Sequence, residues 1–274
     1  MRSPRDGRRH GRPVLARRDA YAGAARGVAI DLGSSGARAW VPGHGLVPGP
    51  TGWDDGTGRP VRRGRIVDAE SCGRLLGRLA DTALGAHLQD SVIVLSHPVL
   101  AGPAHRALAR ELLAALGPSG VVVLNSASAA AACAGPRGGG PVLVVDLGAE
   151  LTEVALLVDA VVVDARQAET GLSDLGPESP PAALVRNVFD MVTSMWREDR
   201  DGAVRGALRR GPVLTGGGAL RADVTERIAD SLGVPVRVDE DPSTAVVRGA
   251  GLILDSVLRP GGAGAVPFLP ARPR

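Results

Sequence analysis

Two stretches of the chain share one plan, and this internal repeat constrains the fold more than any other feature. Val142–Val158 (VLVVDLGAELTEVALLV) is an apolar run, a tight Asp-Leu-Gly turn and a second apolar run. Val28–Val41 (VAIDLGSSGARAWV) repeats this plan in the first half of the chain. Short apolar runs bounded by turn residues are typical of buried strands. Each stretch therefore predicts a strand, a turn and a second strand, and the repeat predicts two related halves.

A third glycine-rich turn, Leu214–Leu220 (LTGGGAL), lies between an apolar run and an amphipathic helix. Glycine accepts positive φ and lets a ligand approach the backbone, and free N–H groups at a strand end bind phosphate oxygens. Three such turns in this order predict a nucleotide cleft between two lobes. The residues expected to bind the nucleotide are Asp31, Gly33, Ser34, Ser35, Gly36, Asp146, Gly148, Gly216, Gly217 and Gly218.

Two aspartates end the first strand of each repeat, and both are expected to face the cleft. Asp31 and Asp146 occupy equivalent positions, directly before Leu-Gly. Carboxylates facing each other across a cleft suit a metal–triphosphate, and Mg²⁺ keeps much of its own hydration when it binds. The sequence therefore predicts that Asp31 and Asp146 hold Mg²⁺ through water.

Strands alternate with helices along the rest of the chain, which predicts an α/β fold. Asp68 is expected to cap a helix whose buried face carries Leu75, Leu76, Leu79, Ala80, Ala83 and Leu84. Further helices are predicted at Pro103–Leu116, Ala127–Ala134, Ala182–Trp196, Ala222–Leu232 and Ser243–Leu258. Further strands are predicted at Ser91–Ser96, Val121–Leu124, Ala160–Ala165, Gly211–Thr215 and Val234–Val238.

The predicted domain organisation has four parts. Residues 1–26 form an Arg-rich disordered leader, 27–140 the first lobe, 141–258 the second lobe and 259–274 a disordered tail. The boundary between the lobes is placed at the glycine-rich linker Arg137–Pro141. A length of 274 residues is sufficient for two moderate domains with real cores.

Charge is unevenly distributed along the chain. The leader has eight arginines against two aspartates, a balance of +6, which leaves −3 for the remainder within the total of +3. A solvated arm is the first interpretation of the leader, and contact with an anionic membrane is the second. Two distant cysteines and no apolar run of membrane-spanning length predict a cytoplasmic location. No nucleic-acid partner is expected.

These three turns resemble those of the actin/heat-shock-chaperone/hexokinase ATPase superfamily. Within it the chain looks like the MreB/Mbl rod-shape-determining proteins, the bacterial actin homologues, above all over Val213–Leu254. Gly64–Asp68 and Ser91–Ala134 resemble further family segments. The resemblance implies two RNase H-like lobes around ATP and Mg²⁺, with the cleft-walling subdomains reduced or absent. It also implies a cytoskeletal or scaffold role in cell shape, self-association, and partners among cell-shape or division proteins.

The second phosphate turn departs from the family pattern, which reads like DxGGGTTE. Ala149 and Glu150 replace two glycines, and we expect alanine in a left-handed conformation to cost about 1–2 kcal/mol. A carboxylate about 5 Å from a phosphate would cost roughly 3 kcal/mol at an effective dielectric of about 20. Ser126 stands where the family has a catalytic glutamate. These departures predict weakened ATP binding, impaired hydrolysis and no assignable catalytic residue, as in a degenerate ATPase.

Three other functions remain open at this point. A small heat-shock-chaperone-like ATPase or reactivating factor is the main alternative. A phosphotransferase of the sugar-kinase branch would need a catalytic base, for which Asp174 is the candidate. A decayed paralogue without activity is the third.

Overall fold

The structure is a computed structural model that describes residues 27–47, 59–135, 139–176 and 181–259. Its strands are β1 (Gly27–Gly33), β2 (Gly36–Val41), β3 (Gly45–Leu46), β4 (Val61–Arg62), β5 (Arg65–Ile66), β6 (Val92–His97), β7 (Gly120–Asn125), β8 (Val142–Leu147), β9 (Thr152–Val158), β10 (Val161–Ala168), β11 (Val213–Thr215) and β12 (Arg237–Val238). Its α-helices are α1 (Ala69–Leu84), α2 (Pro103–Ala114), α3 (Ser126–Ala134), α4 (Ala182–Glu198), α5 (Ala203–Arg210), α6 (Ala222–Leu232) and α7 (Ala245–Leu258).

Two five-stranded sheets have the same topology. The orders are β3-β2-β1-β6-β7 and β10-β9-β8-β11-β12. In each sheet three consecutive strands pair antiparallel, and two later strands join parallel to the first of them. The repeat recognised in the sequence is thus a repeat of whole sheets, and the expected α/β fold with two RNase H-like units is confirmed.

Local signals explain several element boundaries. The Asp68 carboxylate accepts a hydrogen bond from the Ser71 N–H at 3.0 Å, so Asp68 caps α1 as predicted. All six apolar residues predicted for the buried face of α1 are buried. In the β8–β9 turn the Gly148 N–H donates to the Leu151 carbonyl at 2.9 Å. A Cβ at Gly148 would lie 2.7 Å from that oxygen, so the turn requires glycine.

Helices α3 and α7 lie together between the two sheets. Their buried residues form one apolar cluster with Ala29 and Val94 of the first sheet and with Val144 of the second. A Cβ added to Gly249 of α7 would lie 1.8 Å from the Ala129 carbonyl oxygen of α3, so the two backbones nearly touch. Helix α7 also packs against β1, β2 and β6. The division into lobes at residue 140 stays a prediction, and the last helix packs on the sheet of the first half.

Some local predictions were wrong. Met195 and Trp196 were both expected to face inward from α4; Met195 is buried as predicted, but the exposed fraction of Trp196 is 52%, and Met191 is buried in addition. The inward face of α2 was expected to carry Leu108, Leu112, Ala115 and Leu116. Its fully buried residues are instead Ala109 and Leu113, and Leu112 and Leu116 are partly buried. Helix α5 was not predicted, because its short polar sequence has only two buried residues, Val204 and Ala207.

Two connections that could carry additional subdomains are short. In the described part of the segment between β3 and α1, the β4–β5 hairpin contributes two residues per strand. In the described part of the segment between β10 and α4, one 3₁₀ turn covers Leu172–Asp174. The described residues therefore form mainly the two sheets with their helices, and the reduction of the cleft-walling subdomains stays a prediction. The leader, the tail and the Arg137 part of the predicted linker lie outside the described residues.

Candidate functional site

A cleft of about 350 Å³ lies where the three glycine-rich turns meet. Eight of the ten predicted nucleotide-binding residues line it: Asp31, Gly33, Ser34, Ser35, Asp146, Gly148, Gly216 and Gly217. Gly36 and Gly218 are not among the lining residues. A Cβ at Gly218 would lie 2.5 Å from the Leu147 Cβ, so Gly218 permits close packing behind the cleft wall. Eight of the predicted residues thus line one cavity, and their role in nucleotide binding remains a prediction.

Gly216 brings the third turn against the end of β8. Its φ is +83°, and an added Cβ would lie 2.4 Å from the Asp146 Oδ1 and 2.6 Å from the Leu147 carbonyl oxygen. Glycine is required on both grounds, since an L side chain would be strained and would collide. The close approach places the Gly216 backbone beside the Asp146 carboxylate.

Asp31 and Asp146 share one partly buried region of the cleft. The Ser96 hydroxyl donates to the Asp31 Oδ1 at 2.6 Å. Burial raises the pKa of Asp31, although Ser96 and Arg38 oppose the rise. Burial and the nearby Asp31 raise the pKa of Asp146 to about 7. Repulsion between two carboxylates is what a bound cation relieves, so this donor pair fits Mg²⁺ held with its own waters.

Among the described residues, no group of three or more His, Cys, Asp or Glu side chains is arranged to hold a metal ion. A divalent cation in the cleft would therefore depend on Asp31, Asp146, water and the oxygens of a ligand. This arrangement suits Mg²⁺, which is bound through one or two carboxylates together with substrate phosphates.

Arg38 is a cleft residue that the sequence reasoning missed. It lines the cavity, and its positive charge opposes the burial-driven rise in the pKa values of Asp31 and Asp146. In the β1–β2 ladder Arg38 lies directly opposite Asp31, so the two side chains project from the same face of the sheet. Pairing the two strands through their Gly33–Gly36 turn would have revealed this register. The guanidinium provides a positive charge beside the two carboxylates.

Glu153 connects the second hairpin to the first half of the chain. Its Oε1 accepts the Val99 N–H at 2.7 Å, and its Oε2 accepts the Ser126 hydroxyl at 3.1 Å. Glu153 is 5% exposed, so it does not face solvent and instead orders the contacts around the second turn. Burial and the nearby Asp146 raise the pKa of Glu153 to about 8. The carboxyl is therefore largely protonated at neutral pH.

Stability is expected to fall as the pH rises from about 5 to about 8. Glu153 binds its proton more tightly in the folded state than in the unfolded state. Above pH 4.5, the ordinary pKa of glutamate, the side chain ionises in the unfolded chain but stays protonated in the folded one, and this favours unfolding. The free energy of unfolding therefore falls by up to about 1.4 kcal/mol per pH unit until the pH exceeds the pKa of Glu153 in the folded state. Glu153→Gln should flatten the melting temperature over this pH range in a thermal-shift assay. Glu226, on the exposed face of α6, provides the control. If the melting temperature of Glu153→Gln depends on pH as strongly as that of the wild type, or if Glu226→Gln reduces this dependence equally, Glu153 is not the group responsible.

The second phosphate turn differs from its prediction at both unusual residues. Ala149 is not among the described non-glycine residues with positive φ, so the predicted left-handed strain is wrong. The turn is held by two backbone bonds, from the Leu172 N–H to the Gly148 carbonyl at 3.1 Å and from the Ser173 N–H to the Ala149 carbonyl at 2.7 Å. Alanine therefore fits this turn without a backbone cost.

Glu150 points toward the β4–β5 hairpin and meets a cation there. Its Oε1 lies 3.1 Å from the Arg59 Nη1, and its Oε2 accepts the Arg63 N–H at 3.0 Å. The Glu150 side chain is 13% exposed. The carboxylate therefore lies in the cleft wall with a partner, and Arg59 offsets part of its repulsion toward an anionic ligand.

Two sheets of RNase H-like topology that face a cleft lined by phosphate-type turns define an actin-like ATPase fold. MreB5 of Spiroplasma citri bound to ADP superimposes with a TM-score of 0.72 at 16% identity, over 84% of this chain and 96% of that one. The ethanolamine utilization protein EutJ from Carboxydothermus hydrogenoformans gives a TM-score of 0.54 at 19% identity, over 82% of this chain and 88% of that one.

Sequence comparison finds similarity to one family of actin-like proteins in the C-terminal part of the chain. The family model described as MreB/Mbl protein matches residues 180–260. The cell shape-determining protein MreB of Escherichia coli (strain K12) is 47% identical over 53 residues, and that of Haemophilus influenzae is also 47% identical over 53 residues. Each match covers 19% of this chain and 15% of the relative. Residues 180–260 are therefore similar to the MreB/Mbl proteins, and the chain as a whole shares the fold of the actin-like structures.

Proposed function

We propose that the chain acts in cell-shape determination as an MreB/Mbl-like cytoskeletal or scaffold protein. The observation that supports this most is the match of residues 180–260 to the MreB/Mbl family, because this segment supplies the third turn of the cleft and the helix α7. Self-association and contact with other cell-shape or division proteins belong to the same proposal. Contact of the leader with an anionic membrane is a further element, and it concerns residues outside the described ones.

Nucleotide binding is proposed to be weak in this chain. Asp31 and Asp146 would hold Mg²⁺, and the backbone of the glycine-rich turns would hold the phosphates. When bound, Mg²⁺ would supply positive charge that offsets both the two carboxylates and the phosphates. Glu150 opposes the phosphates with a negative charge that Arg59 neutralises in part. ADP- and AMPPNP-bound structures of MreB5 of Spiroplasma citri support a nucleotide as the ligand class.

Hydrolysis is proposed to be impaired, because Ser126 and Glu153, which line the cleft beside the second turn, are poorly suited to act as the base. Ser126 cannot accept a proton from water as a carboxylate does. Glu153, its neighbour, uses one carboxyl oxygen for the Ser126 hydroxyl and the other for the Val99 N–H. Its raised pKa also keeps it protonated at neutral pH. Ser126 is therefore a poor base, and Glu153 is occupied by its two hydrogen bonds.

The geometry also argues against the sugar-kinase alternative. Asp174, its candidate base, accepts the Gly171 N–H through Oδ2 at 2.9 Å and pairs with the Arg63 Nη2 through Oδ1 at 2.9 Å. These contacts, with the Gly171 backbone bond the larger, lower the pKa of Asp174 against the opposing effect of burial. A carboxylate held in this way is a poor proton acceptor. The chaperone-like alternative differs from the scaffold role in requiring ATP hydrolysis that a client protein stimulates.

The purified chain is expected to pellet in high-speed sedimentation to the same extent with and without Mg-ATP, and to release no phosphate above background. Pelleting would follow from self-association that does not depend on a hydrolysable ligand. Failure to pellet at high concentration would contradict a filament-forming scaffold. Phosphate release stimulated by an unfolded client would instead indicate the chaperone-like ATPase.

In the part of the chain that the structure describes, the helices are too short or too polar to cross a bilayer.

A further inference from the structure

The β4–β5 hairpin reaches across the cleft mouth with an unusual concentration of charge. Arg59, Arg63 and Arg65 lie in or next to this hairpin, and each contacts an acid of the second half. Arg59 pairs with Glu150, Arg63 with Asp174 at 2.9 Å, and Arg65 with Glu169 at 2.5 Å. The arginines belong to the segment between β3 and α1, and the acids belong to the β8–β9 turn and the segment after β10. These contacts therefore join the two halves of the chain.

The backbone of the hairpin turn takes part in the same contacts. Arg63 and Gly64 both have positive φ, +45° and +71°, as in a two-residue type I′ turn. The Arg63 N–H donates to Glu150, and the Gly64 N–H donates to the Ser34 hydroxyl at 3.3 Å. A Cβ at Gly64 would lie 2.7 Å from the Pro98 Cγ and 2.8 Å from the Leu151 Cδ2. The turn is thus wedged between the two phosphate turns and is bonded to both.

We propose that the β4–β5 hairpin is an ion-pair latch that holds the two sides of the cleft together without a nucleotide. Glu150 provides a negative charge within the protein at the phosphate turn, and Arg59 and the Arg63 N–H bind it. Single exposed ion pairs contribute little, but this set is a network in which the Glu150 side chain is mostly buried. The inference concerns the closure of the cleft, and it does not depend on the cell-shape role.

Hydrogen exchange of the Arg63 and Gly64 amides tests the latch in the full chain without nucleotide. Glu150→Ala removes the acceptor of the Arg63 N–H but leaves Ser34, the acceptor of the Gly64 N–H, in place. A latch predicts that both amides exchange about tenfold faster in this variant, because the whole turn is released. Faster exchange of Arg63 alone, or of neither amide, would overturn the proposal.

The matched control is Glu198→Ala, which removes a 2.8 Å ion pair with Arg166 that lies outside the cleft contacts. It should leave both amides at the wild-type rate. If Glu150→Ala unfolds the protein, the amides of α1 and α7 will lose protection as well. In that case two measurements that do not use this variant decide the question.

The first of these is salt dependence in the wild-type chain. Raising the ionic strength to about 1 M shortens the Debye length to about 3 Å and should speed exchange of both amides severalfold, with α6 unchanged. The second is a charge exchange at the exposed pair, in which Arg65→Glu alone speeds exchange and Arg65→Glu with Glu169→Arg restores it. Exchange that responds to neither treatment would exclude an ionic latch.

Discussion

Glu150→Gly is expected to bind Mg-ATP ten- to a hundredfold more tightly than the wild-type chain in calorimetric titration. One negative charge about 5 Å from a phosphate costs roughly 3 kcal/mol at an effective dielectric of about 20, which exceeds a hundredfold in affinity. Arg59 already offsets part of this charge in the structure, so the gain should be smaller than that limit. Removing the carboxylate also frees the Arg59 guanidinium to meet the phosphates.

Ala149→Gly is the matched control for this titration. Because Ala149 is outside the left-handed region, restoring glycine there should change the affinity less than threefold. Glu150→Gln separates charge from size, and it should recover most of the gain. Micromolar affinity in the wild-type chain, unchanged by Glu150→Gly, would refute the proposal that this residue weakens nucleotide binding.

Gly249→Ala is expected to destabilise the fold by about 3 kcal/mol or more. The new methyl group would lie 1.8 Å from the Ala129 carbonyl oxygen, so α3 and α7 must move apart between the two sheets. Overpacking of a rigid core usually costs about 1–3 kcal/mol, and a backbone acceptor leaves little room for side-chain relaxation. For a domain of this size we expect a melting temperature lower by about 6–12 °C in calorimetry.

Gly73→Ala is the control for the helix-packing prediction. Gly73 is also helical, but its added Cβ would meet the Leu112 Cδ2 at an ordinary 3.5 Å. Alanine should therefore raise stability by about 0.5–1 kcal/mol through its better helix propensity. Equal melting temperatures for the two variants would show that α3 and α7 are not in backbone contact.

The sequence predicted the parts of the fold that depend on local patterns. The two strand-turn-strand stretches and the Asp68 cap were confirmed because apolar runs, turn glycines and capping carboxylates act within a few residues. The local sequence around Gly249 does not indicate that this position requires glycine. The α7 sequence is an ordinary apolar helix, and its need for glycine comes from Ala129, which belongs to another helix.

The charges of the candidate site were harder to predict than its turns. The lining by Asp31, Asp146 and Gly216 followed from their positions near the ends of β1, β8 and β11. The pairing of Arg59 with Glu150 joins residues 91 positions apart, so it could not be inferred from spacing. The strain expected at Ala149 was wrong because replacing a family glycine does not show that the turn uses positive φ at that position.

The position of α7 has a consequence for the order in which this protein can reach its native state. The apolar face of the first sheet that carries Ala29 and Val94 is covered by α3 and by α7. During synthesis, β1 and β6 leave the ribosome long before residues 245–258 have been made. Part of the apolar surface of the first half therefore stays exposed to solvent until α7 has been synthesised and can pack against it. We infer that the first half completes its folding after translation has passed α7, and that the two halves mature as one cooperative unit.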